Sequence, residues 1–281
     1  DSQHYWETGV PHDAAFDEGM LYRQVAFTMR PQENRLAGVA ISGSLMTALK
    51  GTAPMPTIRD PAGFTFTGSP PKVRKFLGRH PGRPYRDLVY GTGLALADAM
   101  DIVQKAVAQG PYVPTEPAVY PDGSLGEKLR HAAMLLKRTP ARVLGLNVGG
   151  WDTHTSQGQI DGRQGDLLAQ VAQGFQALYY DLQDQWDRLI VVTMTEFGRT
   201  SRENGSRGTD HGHACVMFVA GGRVRGGVYN CDAASWAPGD LFSVRDRYVR
   251  RRTDFRAVFA EIFRKHFGND ETTIEAVIPG Y

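Results

Sequence analysis

Hydrophobic positions along the chain follow two kinds of spacing. Apolar residues three or four positions apart, as in helices with one buried face, occur in five segments: 17–29, 88–108, 125–136, 167–186 and 255–263. Short continuous apolar runs, typical of strands buried on both faces, occur in four segments: 36–42, 143–148, 189–194 and 216–220. Their alternation predicts an α/β fold with a mainly parallel central sheet and helices on both faces.

Residues 51–84 interrupt this pattern. They are rich in Pro, Gly and Thr, which predicts irregular surface structure forming a lid or the edge of a subdomain. At 281 residues with 41% hydrophobic content, the chain can bury a complete core. We therefore expect a single domain over residues 1–281. Within it, Ser124 and Glu127 have the spacing of a capping box at the start of a helix.

Polar side chains with metal-binding chemistry lie next to three of the apolar runs. They are Asp152 and His154 after the second run, Glu196 after the third, and Asp210, His211 and His213 before the fourth. The carboxyl ends of strands form the ligand-binding edge of open α/β sheets, so these side chains are expected to meet there. Mixed carboxylate and imidazole ligands favour Zn²⁺ or Mn²⁺, with Ca²⁺ and Mg²⁺ as further candidates.

Each of these residues also has a simpler structural interpretation. Asp152 could cap a helix that begins near Ser156, and Glu196 could pair with Arg199. His154 could be a hydrogen-bonded loop residue. The dense grouping over 210–213 and the common placement beside strands favour a shared divalent metal site.

Composition narrows the range of partners. The chain has 32 basic and 30 acidic residues, a net charge of +2 that argues against nucleic-acid binding. A local basic cluster is interpreted as a solvated face and comprises Arg245, Arg247, Arg250, Arg251 and Arg252. No apolar run is long enough to span a membrane, and no secretory signal is visible. Cys215 and Cys231 could be two free thiols or one disulfide.

Three motifs resemble a known family. They are VLGLNVGGWDTHTSQ at 143–157, TEFGRT at 195–200 and GTDHGH at 208–213. They resemble the bacterial family catalogued as domain of unknown function 1501, which is grouped with the alkaline-phosphatase and sulfatase superfamily. The likeness extends over nearly the whole chain.

The resemblance implies an alkaline-phosphatase-like fold and metal-dependent chemistry. Superfamily hydrolases hold two divalent ions with Asp and His ligands, and Asp152 and His154 match the first pair. His211 or His213 would supply the remaining imidazole of that site. Phe197 stands where many members have a second-site histidine, which removes one ligand of the second metal.

The resemblance also bears on the start of the chain and on its location. Family members usually carry a further N-terminal portion with the first strand and the expected nucleophile, before the segment that begins at Asp1. Members are often exported through a twin-arginine signal, which implies a periplasmic or secreted protein.

These observations favour a metal-dependent hydrolase of small-molecule or polymeric phosphate or sulfate esters. Arg199 is the candidate catalytic residue, because a guanidinium matches a tetrahedral oxyanion through two hydrogen bonds. The nucleophile would be a residue outside this chain or a metal-activated hydroxide. Two rivals remain: a non-catalytic binding or scaffold protein with a vestigial metal site, and a metallohydrolase of another class, such as a nuclease or carbohydrate esterase.

Overall fold

The chain forms a mixed α/β structure. The computed structural model describes residues 2–11, 16–78, 84–230 and 247–281. The helices in these ranges are α1 (Ser2–Thr8), α2 (Met20–Thr28), α3 (Pro70–Leu77), α4 (Pro84–Val107), α5 (Ser124–Arg138), α6 (Arg163–Asp181), α7 (Phe255–Lys265) and α8 (Glu271–Val277). Short 3₁₀ helices cover Thr47–Leu49 and Gln183–Arg188. The strands are β1 (Gly38–Ala40), β2 (Val143–Gly145), β3 (Ile190–Val192), β4 (Gly198–Arg199), β5 (His211–Gly212) and β6 (Val219–Gly221).

The strands pair into three separate two-stranded sheets. β1 and β2 are parallel, with Val39 opposite Leu144. β3 pairs with β6 and β4 pairs with β5, both antiparallel. The expected mainly parallel central sheet is therefore absent from the described part of the chain, although the α/β class is correct. The apolar runs indicate that these segments are buried. Here helices cover much of their surface, where neighbouring parallel strands were expected.

The parallel pair β1–β2 lies against α4 and α5. The chain between these strands includes α3, α4 and α5, so the connection is a long helical crossover. Val39 and Ile41 at β1 pack with Val103 of α4 and Leu135 of α5 in one buried cluster. This cluster fixes the position of β2, from which the chain continues to the candidate site.

Helix α6 covers the other side of α5. Leu129 of α5 and Leu178 of α6 belong to one cluster, against which Val191 of β3 also packs. A Cβ on Gly174 would lie 2.5 Å from Leu129 Cδ1, so the missing side chain permits this close helix contact. Helix α6 therefore packs against one side of β3.

The two ends of the chain form a third cluster. Met20 of α2 packs with Phe259 and Phe263 of α7 and with Ile274 of α8. Trp6 of α1 stacks on Phe255 with ring centroids 4.0 Å apart. Val192, Met194 and Met217, in and beside β3 and β6, pack against the same cluster. The short sheet β3–β6 is thus enclosed between α6 and the terminal helices.

Two local predictions need correction. Helix α5 begins at Ser124, but Gly123 is its N-cap and no side chain caps it, so the capping box is wrong. Residues 51–84 include α3, whose first residues Pro70 and Pro71 suit the start of a helix. Between 51 and 78 the remaining described residues are mostly turns and bends.

The structure describes one of the two cysteines. Cys215 is partly buried, and burial raises the pKa of its thiol to about 11. Cys231 and Arg245 lie outside the described residues, so the disulfide alternative stays a prediction. None of the described helices combines the length and the apolar character required to cross a bilayer.

Candidate metal centre

The site is built where the loop after β2 meets the β4–β5 hairpin. Three backbone hydrogen bonds join the two segments: Thr209 N–H to Thr153 O at 3.1 Å, Ser156 N–H to Ser206 O at 3.0 Å, and Gln157 N–H to Arg207 O at 2.9 Å. A Cβ on Gly208 would lie 2.2 Å from the carbonyl carbon of His154. Glycine at 208 therefore allows the hairpin to approach the 152–157 loop closely.

Three predicted ligands converge at this junction. Asp152 Oδ1 lies 2.8 Å from His211 Nε2 and 3.0 Å from His154 Nε2, and the three ligand atoms lie within 4.8 Å of one another. Ligand atoms about 2.0 Å from a tetrahedral ion lie about 3.3 Å apart, so small side-chain rotations would accommodate one. Two imidazoles and one carboxylate are a suitable donor set for Zn²⁺ or Mn²⁺.

The ligand group is open to solvent. The side chains of Asp152, His154 and His211 are 56%, 45% and 50% exposed. Structural zinc sites are closed by four protein ligands, whereas catalytic sites have three and leave a position for water or substrate. The number of converging ligands and their exposure match the second kind of site.

Arg199 is fixed beside Asp152 by three hydrogen bonds. It donates from Nη1 to Asp152 Oδ1 at 2.9 Å, from Nε to Thr209 Oγ1 at 2.9 Å and from Nη2 to Thr153 Oγ1 at 3.2 Å. Both threonine hydroxyls donate in turn to Gln157 Oε1, at 2.7 and 2.6 Å. The hydrogen bonds from His211 and then Arg199 lower the pKa of the Asp152 carboxyl.

Asp210 lies on the other side of His154. Its Oδ1 is 3.2 Å from His154 Nδ1 and accepts a hydrogen bond from Asn204 Nδ2 at 3.1 Å. Its Oδ2 accepts from Arg247 Nη2 at 3.2 Å. The bonds from Asn204 and His154 lower the pKa of the Asp210 carboxyl. Asp210 therefore contacts a candidate ligand without belonging to the three-ligand group.

The structure separates His211 from His213. Phe197 stacks on His211 with ring centroids 4.1 Å apart and ring planes 5° apart. His213 stacks instead on Tyr248, with centroids 4.3 Å apart. Phe197 thus supports the ring of a candidate ligand.

The structure bears on two of the simpler interpretations, those for Asp152 and Glu196. Helix α6 begins at Arg163 with Gly162 as its N-cap, so Asp152 does not cap it. Arg199 pairs with Asp152. Glu196 is exposed at the bend before β4 and lies outside the three-ligand group.

Sequence reasoning missed the polar residues that support the site. Thr153, Gln157, Asn204 and Thr209 connect the loop to the hairpin through their side chains. They are ordinary loop residues by composition, and only the approach of two separate segments brings them together. Their nearness to the predicted ligands in sequence was the one available signal.

The described residues thus define a mixed α/β protein with an open candidate metal centre on a surface hairpin. Residues 87–276 match the family described as "Protein of unknown function (DUF1501)", and the chain belongs to this family. The matched segment contains Asp152, His154, Arg199, Asp210 and His211. The chain matches no curated protein and no solved structure.

Proposed function

We propose that this protein is a metal-dependent hydrolase of phosphate or sulfate esters. The proposal is carried by the convergence of Asp152, His154 and His211 as an open three-ligand group beside Arg199. A divalent ion bound there would polarise the ester oxygen and stabilise the charge that develops during cleavage. The resemblance to the alkaline-phosphatase and sulfatase superfamily belongs to the same proposal, as does a periplasmic or secreted location.

Arg199 is suited to hold the anionic group of such an ester. Its side chain is only 17% exposed, so its charge is less screened than that of a surface arginine. Its three hydrogen bonds use three of the five guanidinium N–H donors, and two donors remain for a ligand oxygen. Because Thr153 and Thr209 fix the guanidinium plane, little ordering is needed when an anion binds.

Two observations favour the scaffold alternative. Asp152 Oδ1 already contacts Arg199, His154 and His211, so hydrogen bonding within the protein satisfies the carboxylate. Two cavities, of about 340 and 300 Å³, lie elsewhere, the first beside 54–57 and α4 and the second near Asn34 and Arg142. A vestigial metal site that ties the loop to the hairpin would have these features.

The first prediction concerns metal content. Purified protein should contain at least one tightly bound divalent ion, measured by elemental analysis after dialysis. His211→Ala should lose the ion because it removes a ligand, whereas His213→Ala should retain it because His213 stacks on Tyr248. Folded wild-type protein that is free of metal, and stays so after incubation with Zn²⁺ and Mn²⁺, would rule out the metal-dependent function.

An assay of ester hydrolysis distinguishes a hydrolase from a non-catalytic scaffold protein. Metal-loaded protein should cleave 4-nitrophenyl phosphate or 4-nitrophenyl sulfate, lose this activity with a chelator and regain it with added metal. His213→Ala should match wild type and His211→Ala should be inactive. Metal-loaded protein that is inert towards both esters would favour the scaffold.

A further inference from the structure

His154 contacts a carboxylate through each of its ring nitrogens. Nε2 lies 3.0 Å from Asp152 Oδ1, and Nδ1 lies 3.2 Å from Asp210 Oδ1. The two ring nitrogens of an imidazole point in diverging directions. An oxygen bonded at Nδ1 therefore lies away from an ion bound at Nε2, and Asp210 Oδ1 cannot bind that ion while it keeps this hydrogen bond.

The backbone and side chain of Asp210 are both anchored. Its N–H donates to Thr200 Oγ1 at 3.1 Å, and its carbonyl accepts from the Thr200 N–H at 2.9 Å. Asn204 Nδ2 donates to Asp210 Oδ1 at 3.1 Å and to the His154 carbonyl at 3.0 Å. Asn204 is itself held, because its Oδ1 accepts the N–H groups of Ser206 and Gly208. This set of bonds fixes Asp210 Oδ1 opposite Nδ1 of the imidazole.

We propose that Asp210 is a positioning residue for the metal centre and not one of its ligands. An ion bound at Nε2 requires the form of His154 with its proton on Nδ1, and the ionised carboxylate of Asp210 accepts the hydrogen bond from that N–H. Asp152 Oδ1 and His154 Nε2, which lie 3.0 Å apart, would then both face the ion. Such outer partners fix the tautomer and orientation of a ligand histidine and increase its basicity. The inference rests on the proposed metal site and assigns Asp210 a role distinct from that of Asp152.

Cobalt binding to the full chain tests this assignment. Co²⁺ is titrated into metal-free protein, and the visible absorption of the bound ion gives affinity, stoichiometry and coordination. Asp210→Ala should weaken binding about 10- to 100-fold, with unchanged stoichiometry and an unchanged spectrum. Asp210→Asn should recover part of the loss, because its amide oxygen still accepts from Nδ1–H. Asp152→Asn, which alters a ligand, should change the spectrum.

Arg247→Met serves as the control variant for the Co²⁺ titration. Arg247→Met removes the contact to the other oxygen of Asp210, so Co²⁺ affinity should stay near that of wild type. Asp210→Ala protein that binds Co²⁺ as tightly as wild type would overturn the proposal. So would an Asp210→Asn variant as weak as Asp210→Ala with an altered spectrum, since that pattern indicates direct ligation.

A second readout does not require bound metal. In metal-free protein labelled with ¹⁵N-histidine, a carboxylate faces each ring nitrogen of His154. Asp210→Ala should therefore shift the ring proton from Nδ1 towards Nε2 relative to wild type, while Arg247→Met should leave its distribution unchanged. If wild type binds no Co²⁺, the hydrolase proposal fails and this measurement still decides the role of Asp210. An unchanged protonation pattern in Asp210→Ala would reject it.

Discussion

At the residue scale, the chemistry of the site centres on a single oxygen atom. Asp152 Oδ1 lies 2.8–3.0 Å from nitrogen atoms of His154, Arg199 and His211. Two of these neighbours are candidate metal ligands and the third is a permanent cation. Arg199 therefore both orients the ligand carboxylate and offers its remaining donors to an anion.

Arg199→Ala should reduce ester turnover about 10²-fold or more, while the bound metal is retained. Arg199 would stabilise charge on the substrate and in the transition state, whereas the ion is held by the three ligands. Turnover is measured with the aryl phosphate and aryl sulfate, and metal content by elemental analysis. Arg225→Ala, at an exposed arginine in the segment after β6, serves as the matched control. Equal turnover in the two variants would remove Arg199 from the catalytic role.

The candidate ligands could be predicted from the sequence, but their roles could not. Placement beside apolar runs identified Asp152, His154 and His211, which the structure brings together. His211 and His213 are two apart and would share a face in a continuous strand. β5 ends at Gly212 and the chain bends at His213, so the two rings separate. Periodicity does not encode where a two-residue strand ends.

At the element scale, a buried carboxylate joins α6 to α5 and to the segment 112–120. Asp181, the last residue of α6, has a fully buried side chain. It accepts hydrogen bonds from the hydroxyls of Tyr112 and Tyr120 at 2.7 Å, from the Thr115 N–H at 2.9 Å and from Lys137 Nζ at 2.8 Å. Burial raises the pKa of Asp181, but the bond from Lys137 and the other hydrogen bonds together lower it by more. The net shift of the pKa is therefore downward.

Asp181→Asn should lower the free energy of unfolding by about 3 kcal/mol near pH 7, because it leaves the largely buried Lys137 without its counter-charge. Urea denaturation measures this loss. Asp184→Asn, three residues later on the surface, should change stability by less than about 0.5 kcal/mol. A loss at Asp181 as small as that at Asp184 would show that the network contributes little.

The same substitution predicts a pH dependence. The folded-state pKa of Asp181 lies below its unfolded value, ordinarily about 3.9. Its stabilising contribution is complete above the unfolded value and is lost as the pH falls through the folded-state pKa. The stability difference between wild type and Asp181→Asn should therefore be constant from about pH 7 to 5 and shrink below about pH 4. A difference that grows on acidification contradicts the assignment.

Elements were easier to predict than their pairing. The five segments with helical spacing correspond to α2, α4, α5, α6 and α7. The short helices α1, α3 and α8 were missed, because seven or eight residues hold too few apolar positions to define a period. Each predicted strand overlaps an observed one, but pairing depends on long-range contacts. β3 pairs antiparallel with β6 and packs against the clusters of α6 and α7, an arrangement that hydropathy alone does not show.

At the scale of the whole molecule, one buried arginine connects the two ends of the chain. Arg23 of α2 is 2% exposed, and burial lowers the pKa of its guanidinium to about 10. It donates to the carbonyls of Thr8 at the end of α1, Glu18, and Val277 at the end of α8. Carbonyls at helix C-termini carry partial negative charge, so they compensate a cation that lacks a carboxylate partner among the described residues.

Arg23→Ala should therefore destabilise the molecule as a whole, by at least about 2 kcal/mol, since it leaves three carbonyls without their donor. Urea unfolding is followed by far-ultraviolet circular dichroism and by tryptophan fluorescence, to which Trp6 in the terminal cluster contributes. Both probes should shift together, as expected if residues 1–281 unfold as one cooperative domain. Arg30→Ala, at an exposed pair with Glu33, should leave the midpoint nearly unchanged. Separate transitions in Arg23→Ala would instead mean that the terminal helices unfold independently, and that the candidate metal centre belongs to a unit able to fold without them.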